Sequence, residues 1–167
     1  AILDMLIFDS NYASDDGAAL YVAGQNGKLY NSNFTNNIAG DDGGAITWNG
    51  DGGSIENIVC ENNQGLSQNK ASSRGGAICL TGSNVSIDES SFTQSSSKVD
   101  GGTLFITGND VKVMHSNFTN SISTESSGGA VYIIGNDTHI TDCNFDDCKV
   151  ENTFVKNLKN SEFFPLK

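Results

Sequence analysis

The sequence predicts an all-β chain, a right-handed single-stranded parallel β-helix with about 26 residues per coil, and three observations carry this. First, Gly43-Gly44-Ala45-Ile46 recurs as Gly75-Gly76-Ala77-Ile78 and Gly128-Gly129-Ala130-Val131, with looser copies at Gly17 and Gly101, at spacings of 26, 32, 26 and 27 residues. Second, Phe8, Phe34, Phe92, Phe118 and Phe145, with Cys60 standing where a Phe is due, keep spacings of 26, 26, 32, 26 and 27. Both markers register the same six-residue expansion, between Cys60 and Gly75. Third, each Gly-Gly block opens a stretch of period-two alternation, the pattern of strands whose side chains point to opposite faces.

Each repeat then reads in order. The Gly-Gly entry allows positive φ where the chain turns into the first strand. On that strand Ile46/Trp48, Ile78/Leu80 and Leu104/Ile106 mark one face, while Tyr21, Thr47, Cys79, Phe105 and Tyr132 mark the other. A Gly-Asn or Gly-Asp turn leads to a second short strand, such as Val85-Ser86-Ile87. The corner column Asn31, Asn57, Glu89, His115, Asp142 follows, then the Phe marker. A third segment is marked by Ile38, Ile122 and Val150. No sustained 3.6-residue stripe is present, so little helix is expected. A propeller or sandwich is the competing architecture, with longer or less regular repeats. Residues 61–74 are read as an expanded loop, and Leu158-Lys159-Asn160-Ser161-Glu162-Phe163 as a shortened coil matching Leu29 to Phe34. The chain opens on Ala1 in mid-pattern, with neither initiator Met nor signal peptide. Residues 1–167 are therefore expected to be one β-helix segment of a longer repeat protein, its open edges covered by neighbouring repeats.

Composition removes several functions. Twenty acidic residues against 9 basic ones leave a net charge of −11, which repels phosphate backbones, so nucleic acid is not expected as a partner. No apolar run reaches the roughly 20 residues of a bilayer span, so direct membrane insertion is not expected either. The four cysteines lack zinc-type spacing; Cys60 fills the Phe column, and Cys143 and Cys148 either bridge locally or stay free.

The markers Gly-Gly-Ala-aliphatic and Phe-x-x-Asn (Phe8 to Asn11, Phe34 to Asn37, with Cys60 to Asn63 keeping the Asn) resemble the repeats of chlamydial polymorphic outer-membrane proteins. Later copies end in Ser95, Ser121 and Cys148, and there the match weakens. Phrases such as NSNFTNN and GGAITWNGDGGSI are similar to the adhesin-like β-helix proteins of methanogenic archaea. The resemblance implies repeat architecture and extracellular display at a cell surface, and leaves the ligand open; with no catalytic set in the columns, the expected role is structural display and adhesion to a glycan or surface protein, without catalysis. Because parallel β-helices also host polysaccharide lyases, hydrolases and epimerases, a carbohydrate-active enzyme is the alternative.

Candidate sites follow from the columns. Asp15/Asp16, Asp41/Asp42 and Asp100 precede Gly blocks; Asp16 and Asp42 are the candidate Ca²⁺ ligands, against a reading as solvated turn residues. Arg74, the only Arg, has no acidic cluster of its own in sequence. His115 and His139, one coil apart, read either as a metal pair or as exposed turn and strand residues. No acid-base or nucleophile set assembles from consistent columns, so no catalytic residue is assigned and no cofactor is required. The aromatic column Tyr21, Phe105, Tyr132 is the candidate binding face, against cover by the loop. Sequons place candidate N-glycosylation at Asn33, Asn84, Asn117 and Asn136.

Overall fold

The computed structural model describes residues 1–66 and 73–151; the shortened coil expected at residues 158–163 lies outside them. Among the described residues, four purely parallel sheets run along a solenoid of about six coils. Taking a coil from its Gly-Gly block, the first sheet holds Leu20–Val22, Ile46–Trp48, Ile78–Leu80, Leu104–Ile106 and Val131–Ile133. The second holds Ile2–Asp4, Lys28–Tyr30, Ser54–Glu56, Ser86–Asp88, Lys112–Met114 and His139–Thr141. The third carries the Phe marker: Ile7–Asp9, Asn33–Thr35, Val59–Glu61, Ser91–Thr93, Asn117–Thr119 and Asn144–Asp146. Two-residue strands make the fourth: Tyr12–Ala13, Ile38–Ala39, Gln64–Gly65, Ser96–Ser97, Ile122–Ser123 and Lys149–Val150. No helix occurs among the described residues.

Each coil thus has four strands, where the alternation marks two or three. Period-two alternation needs several residues to show, and a two-residue strand has none to spare. The register also corrects one column: Lys149 pairs with Ile122, and Val150 with Ser123, so Val150 sits one position inward of Ile38 and Ile122. The expanded segment is shorter than 61–74. Glu61 ends a third-sheet strand and Gln64–Gly65 is a fourth-sheet strand, so the extra residues enter after Gly65. By Ser73 the coil is back in place: the Ser73 hydroxyl donates to the Gly65 carbonyl at 2.5 Å, and the Val99 amide donates to the Ser73 carbonyl.

Left-handed residues turn the chain at four corners. Asn31, Asn57, Glu89, His115 and Asp142 share φ of 44–52° after the second sheet, and Asn36, Asn62, Gln94, Asn120 and Asp147 share 47–55° after the third. Asparagine tolerates this region best, which explains its abundance. In the Gly-Gly block the two glycines do different work: Gly43 supplies φ of 65°, whereas a Cβ on Gly44 would collide with the Gly76 carbonyl of the next coil.

The interior is a set of stacks. Phe8 lies on Phe34 at 4.8 Å between centroids; Phe92, Phe118 and Phe145 stack at 5.0 and 4.8 Å, every pair within 12° of parallel. Cys60 is in register between Phe34 and Phe92. In that coil Ile58 is buried where adjacent coils place Ser32 and Ser90, returning some of the volume the missing ring removes. Trp48, also fully buried, lies over Gly27 and Gly53, whose counterparts beside Leu80 and Ile106 are Val85 and Val111. Polar interior columns satisfy themselves: Ser32, Ser90 and Ser116 each donate to a carbonyl two residues back at 2.6–2.7 Å.

Candidate functional site

The first-sheet column assembles as the spacing requires, Tyr21, Thr47, Cys79, Phe105 and Tyr132 standing in register. Its middle is not an open platform. Thr47, Cys79 and Phe105 are buried, Phe105 retaining 2% of its exposure, while Tyr21 is exposed and Tyr132 half-buried. The expected binding face is therefore corrected at Phe105. The Arg74 guanidinium lies over its ring, 4.6 Å from the centroid, and Tyr132 stacks beside it at 5.8 Å. A guanidinium plane on an aromatic face combines cation–π attraction with burial of the ring.

Arg74 is held there by Asp42. Its Nη2 is 3.2 Å from Asp42 Oδ2, and its backbone N–H donates to Asp42 Oδ1 at 2.8 Å. Arg74 has no acidic cluster of its own in sequence, but the fold brings it one: 32 positions apart in sequence, Arg74 and Asp42 are one coil apart in space. Burial raises the Asp42 carboxyl above the ordinary carboxylate value, and the charges of Asp41 and Asp16 add to it. The Arg74 amide and guanidinium oppose this without cancelling it. The Asp42 backbone N–H donates to Asp16 Oδ1 at 3.1 Å, and the Thr47 hydroxyl donates to the Asp42 carbonyl. The Cys79 sulfur is 4.0 Å from Asp42 Oδ2; burial first, then the Asp42 charge, drives its thiol far above the usual range, which unsuits it as a nucleophile.

The two Ca²⁺ candidates part company. Asp16 joins Asp15 and Asp41, whose carboxylate oxygens lie within 4.8 Å of one another, whereas Asp42 turns to Arg74. Three carboxylates would supply part of the six to eight oxygens calcium takes. His115 and His139 form no shared ligand cluster among the described residues. His115 sits between coils instead, Nδ1 at 2.8 Å from Asp88 Oδ1 and Nε2 at 3.8 Å from Asp142 Oδ2. His139 pairs in register with Lys112, both exposed, as the reading of an exposed strand residue expects. Cys143 and Cys148 do not bridge: each thiol donates to the carbonyl two residues back, Thr141 and Asp146, and both take over interior polar columns. Asn33, Asn84, Asn117 and Asn136 are all solvent-exposed.

The columns give no advance sign of one further feature, a groove of about 440 Å³ at the corner between the third and fourth sheets. Asn62, Gln64, Gln94, Ser96 and Asn120 contribute to its lining, with Asp147 and Lys149 at one end. Only the left-handed column Asn62, Gln94, Asn120 hints at it in sequence.

Against known families, the Chlamydia polymorphic membrane protein repeat matches residues 31–47. The match runs from the Asn31 corner through a third-sheet and a fourth-sheet strand to the Gly43-Gly44 entry and Thr47. No curated protein and no solved structure matches the chain. The resemblance to archaeal adhesin-like proteins has no counterpart in these matches.

Proposed function

We propose that this repeat module is displayed outside the cell, at its surface, and adheres to a glycan or surface protein without catalysing a reaction. The observation that carries the reading is the unbroken register of all four sheets across the expanded coil, together with the polymorphic membrane protein repeat at residues 31–47. A solenoid whose stacked positions repeat amide, hydroxyl and aromatic groups is suited to multivalent contact along its length, whereas a catalytic site requires residues that differ from their stacked equivalents. With Phe105 covered, Tyr21 and Tyr132 are the aromatic contacts left on the first-sheet face. Exposed Asn33, Asn84, Asn117 and Asn136 would be glycan acceptors if the secretion route glycosylates.

A second reading, a carbohydrate-active enzyme, draws on Asp42: a carboxyl with a raised pKa beside an arginine is a candidate general acid. The test presents the chain to immobilised polysaccharides and surface proteins while reducing ends and unsaturated products are measured. Saturable binding without product is expected. Product formation abolished by Asp42→Asn would establish the enzyme, and absence of binding to every surface would remove the adhesive role.

A further inference from the structure

The groove between the third and fourth sheets rests on the edges of two hydrogen-bond ladders. Outside, Asn36 Nδ2 donates to Asp9 Oδ1 at 3.2 Å and Asn62 Nδ2 to Asn36 Oδ1 at 2.7 Å. Inside, Asn11 Nδ2 donates to Asn37 Oδ1 at 2.8 Å and Asn37 Nδ2 to Asn63 Oδ1 at 3.0 Å. Both ladders stop at the same coil boundary. Beyond Asn63 the inner column continues as Ser95, which has no amide to extend the ladder; its buried hydroxyl has no hydrogen-bond partner, and Ser95 forms part of the groove wall. Beyond Asn62 the outer column continues as Gln94 and Asn120, whose side chains make no hydrogen bond among the described residues, nor does that of Ser96 beside them.

The amides that lower coils spend on one another are thus left facing solvent in a concavity. Each amide offers donors and an acceptor, the combination that pairs with adjacent hydroxyls on a sugar ring. The lining is uncharged over Asn62, Gln64, Gln94, Ser96 and Asn120, and Asp147 and Lys149 at the end are of opposite sign. The net charge of −11 disfavours a polyanion. Ile122, in the same groove, supplies an apolar contact for the C–H face of a ring. Equivalent positions repeat at the inter-strand spacing of about 4.8 Å, so the four coils lining the groove span about 14 Å along the axis. That repeat is close to the length of one extended pyranose unit, and the volume lies within the range of small-molecule sites. We infer that the groove binds one strand of a neutral, extended polysaccharide lying along the solenoid axis. The inference deepens the adhesive reading and rests on it, but its site is separate from the first-sheet face.

The experiment titrates hexamers of β-1,4-linked glucose, mannose and N-acetylglucosamine into the full chain, followed by calorimetry and amide NMR. At least one hexamer should bind, with shifts centred on Gln94, Ser96 and Asn120. The variant Gln94→Gly/Asn120→Gly, which removes both amides at positions whose φ suits glycine, should fold as the parent does and bind about tenfold more weakly or worse. A galacturonate hexamer should bind less tightly than the neutral one. The inference is overturned if no neutral hexamer binds, if the double glycine variant binds unchanged, or if an uncharged extended hexapeptide binds more tightly than any sugar. Loss of sugar binding in Tyr21→Ser/Tyr132→Ser, with the groove variant unaffected, would keep the adhesive reading and discard the groove.

Discussion

Truncating Phe118 to Ala tests the closed interior at its best-packed point. The ring is fully buried and sandwiched, 5.0 Å from Phe92 and 4.8 Å from Phe145, with interplanar angles of 9° and 6°. A buried phenylalanine removes roughly 150–250 Å² from water; at about 25 cal/mol per Å² that is about 4–6 kcal/mol, an upper bound because the alanine keeps its Cβ and the unfolded chain is partly compact. Measured truncations of this kind cost about 3–5 kcal/mol. The coil spacing is set by backbone hydrogen bonds on four sides, so the cavity cannot close by collapse, and a loss of about 4 kcal/mol is expected. For a chain of this length that is a fall of about 8–16 °C in Tm. Since solenoids unfold by nearest-neighbour coupling, hydrogen exchange of the Asn117–Thr119 amides and their rungs should be read beside the global melt. Phe145, half-buried, serves as the internal comparison: Phe145→Ala should cost clearly less. A loss below about 1 kcal/mol for Phe118→Ala, or equal losses at both positions, would refute the stacked interior.

Two further outcomes are expected. Gly53→Val places atoms where a Cβ would already be 2.6 Å from the Trp48 ring and should cost about 1–3 kcal/mol, but in a Trp48→Leu background it recreates the Leu80 and Val85 pairing of the next coil and should cost less; additive denaturation energies would contradict the packing. The Asp88 hydrogen bond raises the His115 pKa above 6.5 against desolvation, and the charges of Asp88, Asp142 and Glu89 add to the rise. A raised folded value means that its stabilisation is complete below 6.5 and is lost as pH rises through the folded value, so the Tm difference between the parent and His115→Gln should shrink with rising pH; a difference that grows would reverse the assignment.

The fold was legible because a solenoid writes its contacts as a period. Phe34, Cys60, Phe92 and Phe118 share a column in sequence and a column in space, and the expansion did not disturb the inference because both markers recorded it. Two features resisted reading. The fourth strand, two residues long, has no alternation to detect, which is why the pattern places Val150 one position from its true register. Burial of the outward first-sheet column depends on what lies across it, and Arg74 enters from a coil with extra residues, where the period predicts no neighbour. Compensating substitutions were also hidden: Cys60 with Ile58, and Trp48 with Gly27 and Gly53, look like noise in single columns and make sense only as pairs within the core.

Those irregularities share a place, and that bears on function. Up to Asn62 and Asn63 the polar groups of one coil are consumed by the next, so the surface there has little left to offer a ligand. The extra residues enter immediately afterwards, following Gly65. From that boundary onward amides become serines in the inner column, Gln94 and Asn120 lose their ladder partners, and Arg74 crosses to Asp42. A repeat that satisfies itself is stable but chemically silent; one that stops satisfying itself at a defined coil exposes donors and acceptors at a fixed pitch. If adhesion resides in this chain, its specificity should therefore map to the coils after the boundary. Exchanging the Asn36 corner, which lies outside the groove lining, for Gly should lower stability while leaving sugar affinity intact, the reverse of the effect expected at Gln94 and Asn120.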